Sequence, residues 1–294
     1  MLSGDVRDIA LKARRENFPV ASRLLPRRYR CHLMAVYGFA RFVDDVGDEV
    51  ADAAGDEGGD ETGPGERLRR LGDIDADLIR LYAGQAPLLP VVRRLAPTVR
   101  QCSVPAEPFH RLVAANRRDQ SVTRYDTFDD LLAYCELSAN PVGHIVLHVF
   151  GAATPSRLAL SDQVCSALQI IEHCQDVGED YARGRVYLPG EDLRRFGCTE
   201  ADLGGATAPA RLRRVVALQA RRAMRLLEAG DPLAASLSGF ARTAVAGYIA
   251  GGRATVAALE RAGHEVLGRS VRPHPARLPL EWSRVLMRGS EAVK

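Results

Sequence analysis

Two short acidic runs in this 294-residue chain carry side chains whose types and spacing suit metal and phosphate chemistry. The first is YGFARFVDDVGDE, residues 37–49. Each residue of an α-helix turns about 100°, so Tyr37, Arg41, Asp44 and Asp48 fall on one face. Val36, Phe39, Phe42 and Val43 flank that face, which suits a helix lining a cavity rather than one meeting water all round. Asp45 is turned about 100° from Asp44 and is expected to stand behind it. The second run is LQIIEHCQDVGEDYARGRVYLP, residues 168–189. Gln169, Glu172, Asp176 and Asp180 again share a face, with Leu168, Ile170, Ile171 and Val177 around it. Arg183, Arg185 and Tyr187 follow as that helix ends.

Carboxylates one helical turn apart repel unless something positive binds between them. A single such pair is an ordinary feature of a solvated surface. Two pairs, each with apolar neighbours and nearby arginines, point to a bound cation. Oxygen ligands without a histidine or thiol partner suit magnesium, which commonly joins one or two carboxylates to a substrate phosphate. Facing pairs would hold a small magnesium cluster around a diphosphate. Arg41 and Arg185 would neutralise its remaining charge. Diphosphate then becomes a good leaving group, and the apolar remainder of the protein shields a carbocation.

Helices must position these stripes. Long Ala/Leu/Arg-rich stretches recur and two-residue alternation is rare. The pattern predicts helices near 5–16, 27–50, 66–83, 87–101, 105–118, 127–150, 156–180, 208–229 and 234–263. Pro19 and Pro26, the 51–65 segment, Pro105, Gly151 to Pro155 and Gly190 to Gly205 separate them. ADAAGDEGGDETGPG is acidic and glycine-rich without an apolar anchor, and reads as a surface loop. The proline-broken end, RPHPARLPLEWSRVL, has Leu278, Leu280 and Trp282 to dock it. With no repeat or composition shift, the chain reads as one all-α domain over 1–267, with a tail over 268–294.

Composition narrows the function classes. Forty basic and 37 acidic side chains leave a net charge of +3, too small an excess for a general nucleic-acid binder. Lys12 and Lys294 are the only lysines, a bias that a genome-wide base composition explains. MLSGDVRDIALKARRENF lacks the apolar core of a secretory signal. No stretch approaches the roughly 20 apolar residues that span a bilayer. The six cysteines form no C-x-x-C pair and read as reduced core thiols. A cytoplasmic protein is expected, with at most a peripheral contact at the inner face of the membrane.

Other candidates have plainer explanations. His144 and His148 are spaced as zinc ligands can be, but they lie in an apolar run and read as core or lining residues. Asp129 and Asp130 read as first-turn acids. Asp119 fits a buried ion pair as well as it fits a catalytic role. Arg221 and Arg222 are expected to be solvated.

At RFVDDVGDE and QDVGEDYARGRVYLP the sequence resembles the head-to-head prenyltransferase family of squalene and phytoene synthases, over about Asn17 to Leu267. The resemblance implies a single α-helical isoprenoid-synthase bundle with a central cavity. It implies Asp44, Asp48, Asp176 and Asp180 as the Mg2+-diphosphate ligands. Tyr37, Arg41, Gln169, Arg185 and Tyr187 would line the diphosphate end, and Phe18, Val142 and Gly143 the prenyl pocket. Glu172 stands where many members have asparagine and is a candidate further ligand. His173 follows it, with its ring free to turn away into packing. His264 stands where the family suggests tyrosine.

Finer features resemble one bacterial branch. They are ENFPVASRLLP around Asn17, SANPVGHIVLHVFG at 138–151, Gln175 before Asp176, and AGGRATVAALERAGHEVL at 250–267. That branch takes presqualene diphosphate, releases diphosphate and captures water to give hydroxysqualene in the hopanoid route. A sister enzyme of the same family, which makes presqualene diphosphate, is the implied partner. Two alternatives stay open: condensation of two farnesyl or geranylgeranyl diphosphates, and a non-catalytic scaffold on the same fold.

Overall fold

The computed structural model describes residues 25–48 and 63–291. The expected helix at 5–16, Asn17, Phe18 and most of the 51–65 segment lie outside the described residues. The described residues divide into two compact units, 25–48 with 63–122, and 123–291. Among them there is no strand, only an isolated parallel bridge between Arg124 and Val186.

The first unit holds α1 (Arg27–Asp48), α2 (Pro64–Tyr82), α3 (Pro90–Cys102) and α4 (Glu107–Arg118). Leu33, Val36, Phe39, Val43 and Val46 recur at threes and fours along α1, and all are buried. Phe39 meets Phe109 of α4 edge to face, with ring centroids 5.3 Å apart. α2 starts two residues earlier than the pattern suggests. Pro64 takes the first helical position, where a missing N–H costs nothing. The two carboxylate oxygens of Asp77 accept the backbone N–H groups of Leu88 and Leu89 at 2.7 and 2.8 Å, which fixes the entry into α3.

The second unit holds α5 (Phe128–Ser138), α6 (Asn140–Val149), α7 (Pro155–Gln175), α8 (Val177–Ala182) and α9 (Gly190–Arg195). A 3-10 turn over Glu200–Leu203 follows, then α10 (Ala210–Gly230), α11 (Pro232–Ser236), α12 (Gly239–Arg261) and α13 (Arg277–Glu291). Three expected helices are each split, 234–263 among them, at Leu237 and Ser238 between α11 and α12. The 127–150 stretch breaks at Ala139, because Pro141 has no N–H to continue the ladder. The 156–180 stretch breaks at Asp176, whose backbone leaves the helical region (φ −102, ψ 13). Thr127 and Asp130 form a reciprocal capping box at the start of α5, consistent with a first-turn role for the acid.

α6 and α7 approach closely at Gly143. A Cβ there would lie 2.2 Å from Ser161 Oγ and 2.5 Å from Cys165 Sγ. The tail is more ordered than its prolines suggest. Pro279 falls in the first turn of α13, Trp282 Nε1 donates to the Thr243 carbonyl at 3.0 Å, and Val285 is buried. Leu280, one of the expected anchors, is instead exposed. The six cysteines are free thiols, but they are not all in the core: Cys31 is exposed, and Cys102 and Cys165 are half-buried.

Candidate functional site

The first acidic motif lies on the last turns of α1. This helix is continuous from Arg27 to Asp48, so Tyr37, Arg41, Asp44 and Asp48 keep one face. Tyr37, Arg41 and Asp44 are half-buried, and Asp48 is exposed. Arg41 Nε pairs with Asp45 Oδ1 at 3.0 Å, so Asp45 engages the arginine expected at the diphosphate end. Asn116 Nδ2 on α4 donates to Asp44 Oδ1 at 3.0 Å. Burial raises the Asp44 carboxyl to about 6, and the charges of Asp48 and Asp45 push the same way. The Asn116 hydrogen bond and the Arg41 charge oppose them.

The second motif straddles the break between α7 and α8. Asp176 closes α7 through its N–H to Glu172 O at 3.0 Å, and its carbonyl accepts Asp180 N–H at 2.8 Å. Gln169, Asp176 and Asp180 are half-buried, and Glu172 is exposed. Burial raises the Asp176 carboxyl to about 6, followed by the charges of Asp180 and Glu179. His173 and Arg183 pull it down.

After α8 the chain runs beside 123–126. Val186 N–H bonds Thr123 O at 2.9 Å, and Gly190 N–H bonds Tyr125 O at 2.9 Å. This lacing brings Tyr187 onto the second motif. Its ring stacks on His173 with centroids 3.8 Å apart and planes 14° apart. Tyr125 and Tyr134 extend the aromatic group, 5.7 and 5.5 Å from Tyr187. His173 Nε2 lies 3.2 Å from Gln169 Nε2, and Nδ1 lies 3.8 Å from Asp180 Oδ2. His173 does pack, but into the motif, between Gln169, Asp180 and Tyr187. Helix arithmetic had held that signal, since four steps of about 100° put position 173 only about 40° from position 169. Arg185 is half-buried in the same segment. Val142 is half-buried on α6, where Gly143 is pressed against α7.

No local pattern marks Asn116, Tyr125 and Tyr134, because each reaches its motif from a separate segment. The other histidines have partners or packing of their own. His144 Nε2 is 2.7 Å from Asp162 Oδ1, and burial lowers the His148 ring. Asp119 is buried at the end of α4. Arg221 is exposed as expected, but Arg222 is not solvated. It pairs with the buried Asp192 and covers the Phe128 ring at 4.3 Å.

The donor sets fit a hard divalent cation. Each motif offers only carboxylate oxygens at its i,i+4 pair, and Asp44, Asp176 and Asp180 are held partly out of water. Such groups gain most from a positive partner. Among the described residues no three metal-binding side chains are drawn together. Each pair would thus supply part of a magnesium shell and leave positions for diphosphate oxygens.

A pH dependence follows. Asp44 and Asp176 hold their protons more tightly in the folded chain than in the unfolded one. Their favourable effect on metal-free stability is complete below the ordinary value of 3.8 and is lost as the pH rises through about 6. Magnesium would bind the ionised forms. The melting-temperature gain from magnesium with inorganic diphosphate is therefore expected to grow between about pH 5 and about pH 7.5. Thermal melts across that range test this, and a gain independent of pH would contradict it.

Comparison with known proteins shows the family. The profile of the family described as squalene/phytoene synthase matches residues 11–282. A hydroxysqualene synthase from Zymomonas mobilis is 36% identical over 225 residues, 76% of this chain and 71% of that protein. One from Rhodopseudomonas palustris is 36% identical over 229 residues, 77% of this chain and 73% of that protein. A presqualene diphosphate synthase from Rhodopseudomonas palustris is 29% identical, covering 73% of each chain. The crystal structure of squalene synthase HpnC from Alicyclobacillus acidocaldarius matches with a TM-score of 0.75 and 38% identity, over 92% of this chain and 96% of that one. A dehydrosqualene synthase structure shares the all-helical fold, with a TM-score of 0.82 at 23% identity, over 98% of this chain and 97% of that one. With both acidic motifs in place and the family profile matched along most of its length, the chain belongs to the squalene/phytoene synthase family.

Proposed function

We propose that this chain is a hydroxysqualene synthase that converts presqualene diphosphate and water to hydroxysqualene and diphosphate. The observation that carries the reading is the 36% identity, over about three quarters of the chain, to two proteins of that name. The intact aspartate pairs support it. The carbon–oxygen bond to diphosphate breaks, and diphosphate leaves with the electron pair. The carbocation rearranges, water adds to it, and a proton is lost.

Asp44 and Asp48, with Asp176 and Asp180, would hold magnesium, which when bound supplies positive charge for the departing diphosphate. In this reading Arg41 and Arg185 would add permanent charge to the diphosphate, and Tyr37, Gln169 and Tyr187 would bind it. The stack on His173 keeps the Tyr187 ring from swinging. Glu172 is a further candidate ligand. In this reading Phe18, Val142 and Gly143 would line the prenyl pocket and keep bulk water from the cation, and Asn17 would bind substrate. Residues 1–267 act as one catalytic domain, with 268–294 as its tail.

No helix among the described residues is long and apolar enough to cross a membrane. The long apolar substrate then arrives by a transient contact, from the inner face of the membrane or from a presqualene diphosphate synthase of the same family. A cytoplasmic location fits that route.

The test is product analysis of the purified protein with presqualene diphosphate and magnesium in 18O-water. Labelled hydroxysqualene with one diphosphate per turnover is expected. Phytoene synthases 32% identical to the chain keep a condensing reaction in view. Consumption of farnesyl or geranylgeranyl diphosphate without hydroxysqualene would replace this reading with condensation. No turnover of any of these, with no thermal shift by magnesium and diphosphate, would point to the scaffold.

A further inference from the structure

We propose that Asn116 and Gln120 are positioning residues that set Asp44 in advance for its cation. The inference rests on Asp44 being a cation-binding carboxylate, and goes beyond it by naming what holds that carboxylate in place.

The contacts form one connected clasp within the first unit. Asn116 Nδ2 donates to Asp44 Oδ1 at 3.0 Å and to the Leu112 carbonyl at 3.2 Å. Gln120 Nε2, one turn further on, donates to the carbonyls of Gly47 and Asn116, both at 3.0 Å. Gln120 Oε1 in turn accepts Arg67 Nε of α2 at 2.7 Å. Gly47 makes the fit possible: a Cβ there would lie 2.2 Å from Asn116 Oδ1. The residue three places after Asp44 is therefore small so that the amide can reach the acid. The clasp also satisfies a carbonyl in the last turn of α1, where helix carbonyls lack partners within the helix.

The chemistry of position 116 matters as much as its reach. A lysine or arginine there would neutralise Asp44 and compete with a cation. A carboxylate would repel it. A carboxamide donates one hydrogen bond to one oxygen, leaves the negative charge whole, and leaves Oδ2 for the metal. Outer residues that hydrogen-bond a ligating carboxylate typically change metal affinity or activity by about 10- to 100-fold when removed. Arg67 acts one step further out. Its pull on Gln120 fixes which end of that amide faces α1.

The experiment titrates magnesium into the full-length protein with inorganic diphosphate, following the melting temperature and, separately, calorimetric heat. Asn116→Leu removes the donor at similar volume. It is expected to raise the magnesium half-saturation by about tenfold or more, with a smaller loss in the maximal rate at saturating metal. Gln120→Met leaves the direct bond to Asp44 in place and is expected to give a smaller shift in the same direction. It also carries the test if Asn116→Leu fails to fold. A residue with a merely structural role would lower the metal-free melting temperature and leave the half-saturation where it was. An unchanged half-saturation in the folded variants would overturn the clasp while leaving the metal role of Asp44 intact. A wild-type protein that shows neither shift nor heat with magnesium and diphosphate would overturn the metal role, and the clasp with it.

Discussion

Alanine at Asp44, or at Asp176, is expected to lower turnover of presqualene diphosphate by about 1,000-fold or more, since either change removes charge that the departing diphosphate needs. Each residue is half of a carboxylate pair, and burial raises its proton affinity. The structural effect should be in the other direction. At neutral pH an ionised carboxylate held above its ordinary value destabilises the metal-free fold. Asp44→Ala and Asp176→Ala should therefore melt no lower than the parent without magnesium, and lose most of the stabilisation that magnesium and diphosphate confer. Steady-state rates, circular dichroism and paired melts check both halves. Near-normal rates in both variants would remove these carboxylates from the mechanism.

The largest expected stability effect lies away from the motifs, at Arg222. Its guanidinium pairs with Asp192, and their side chains are only 19% and 3% exposed. Gln219 Nε2 also donates to Asp192 at 2.7 Å, and the Arg222 guanidinium rests 4.3 Å above the Phe128 ring. Arg222→Met keeps much of the volume but leaves a buried carboxylate with one neutral donor from this pair of helix neighbours. Breaking a buried pair in this way costs about 3–5 kcal/mol. The expected fall in melting temperature is roughly 5–10 °C for a chain of this size. Adding Asp192→Asn to Arg222→Met should restore much of the loss, because the stranded charge is then gone. An unchanged melting temperature in the single variant would mean that the pair contributes no net stability. Since Arg222 lies in neither acidic motif, the maximal rate of the folded variant is expected to stay near that of the parent.

These two sites show what could be read before folding and what could not. The aspartate pairs were visible because both carboxylates of each pair come from one short segment. α1 is unbroken, so the face predicted for Tyr37, Arg41, Asp44 and Asp48 survives on it. The second stripe is interrupted. Asp176 steps out of the helix, so Asp180 reaches its place through a restart rather than by one more turn. Nothing in the local sequence marks that break as Pro141 marks the one before α6. A place on a long helix predicts a solvated Arg222. Asp192, on a different helix, makes its position a buried one.

The sequence by itself determined the helical class, the two carboxylate pairs and the family. Each rests on composition or on side chains within two turns of each other, which helix geometry relates without help from the rest of the chain. The tertiary structure decided the settings of those side chains. It brought Asn116 onto Asp44 and Gln120 onto the Gly47 carbonyl, and folded 185–190 back along 123–126 to lay Tyr187 on His173. It also withdrew Asp44 and Asp176 from water far enough to lift both carboxyls to about 6. Desolvation and hydrogen bonding between distant segments depend on which surfaces meet, and that is a property of the packed chain rather than of any short stretch of residues.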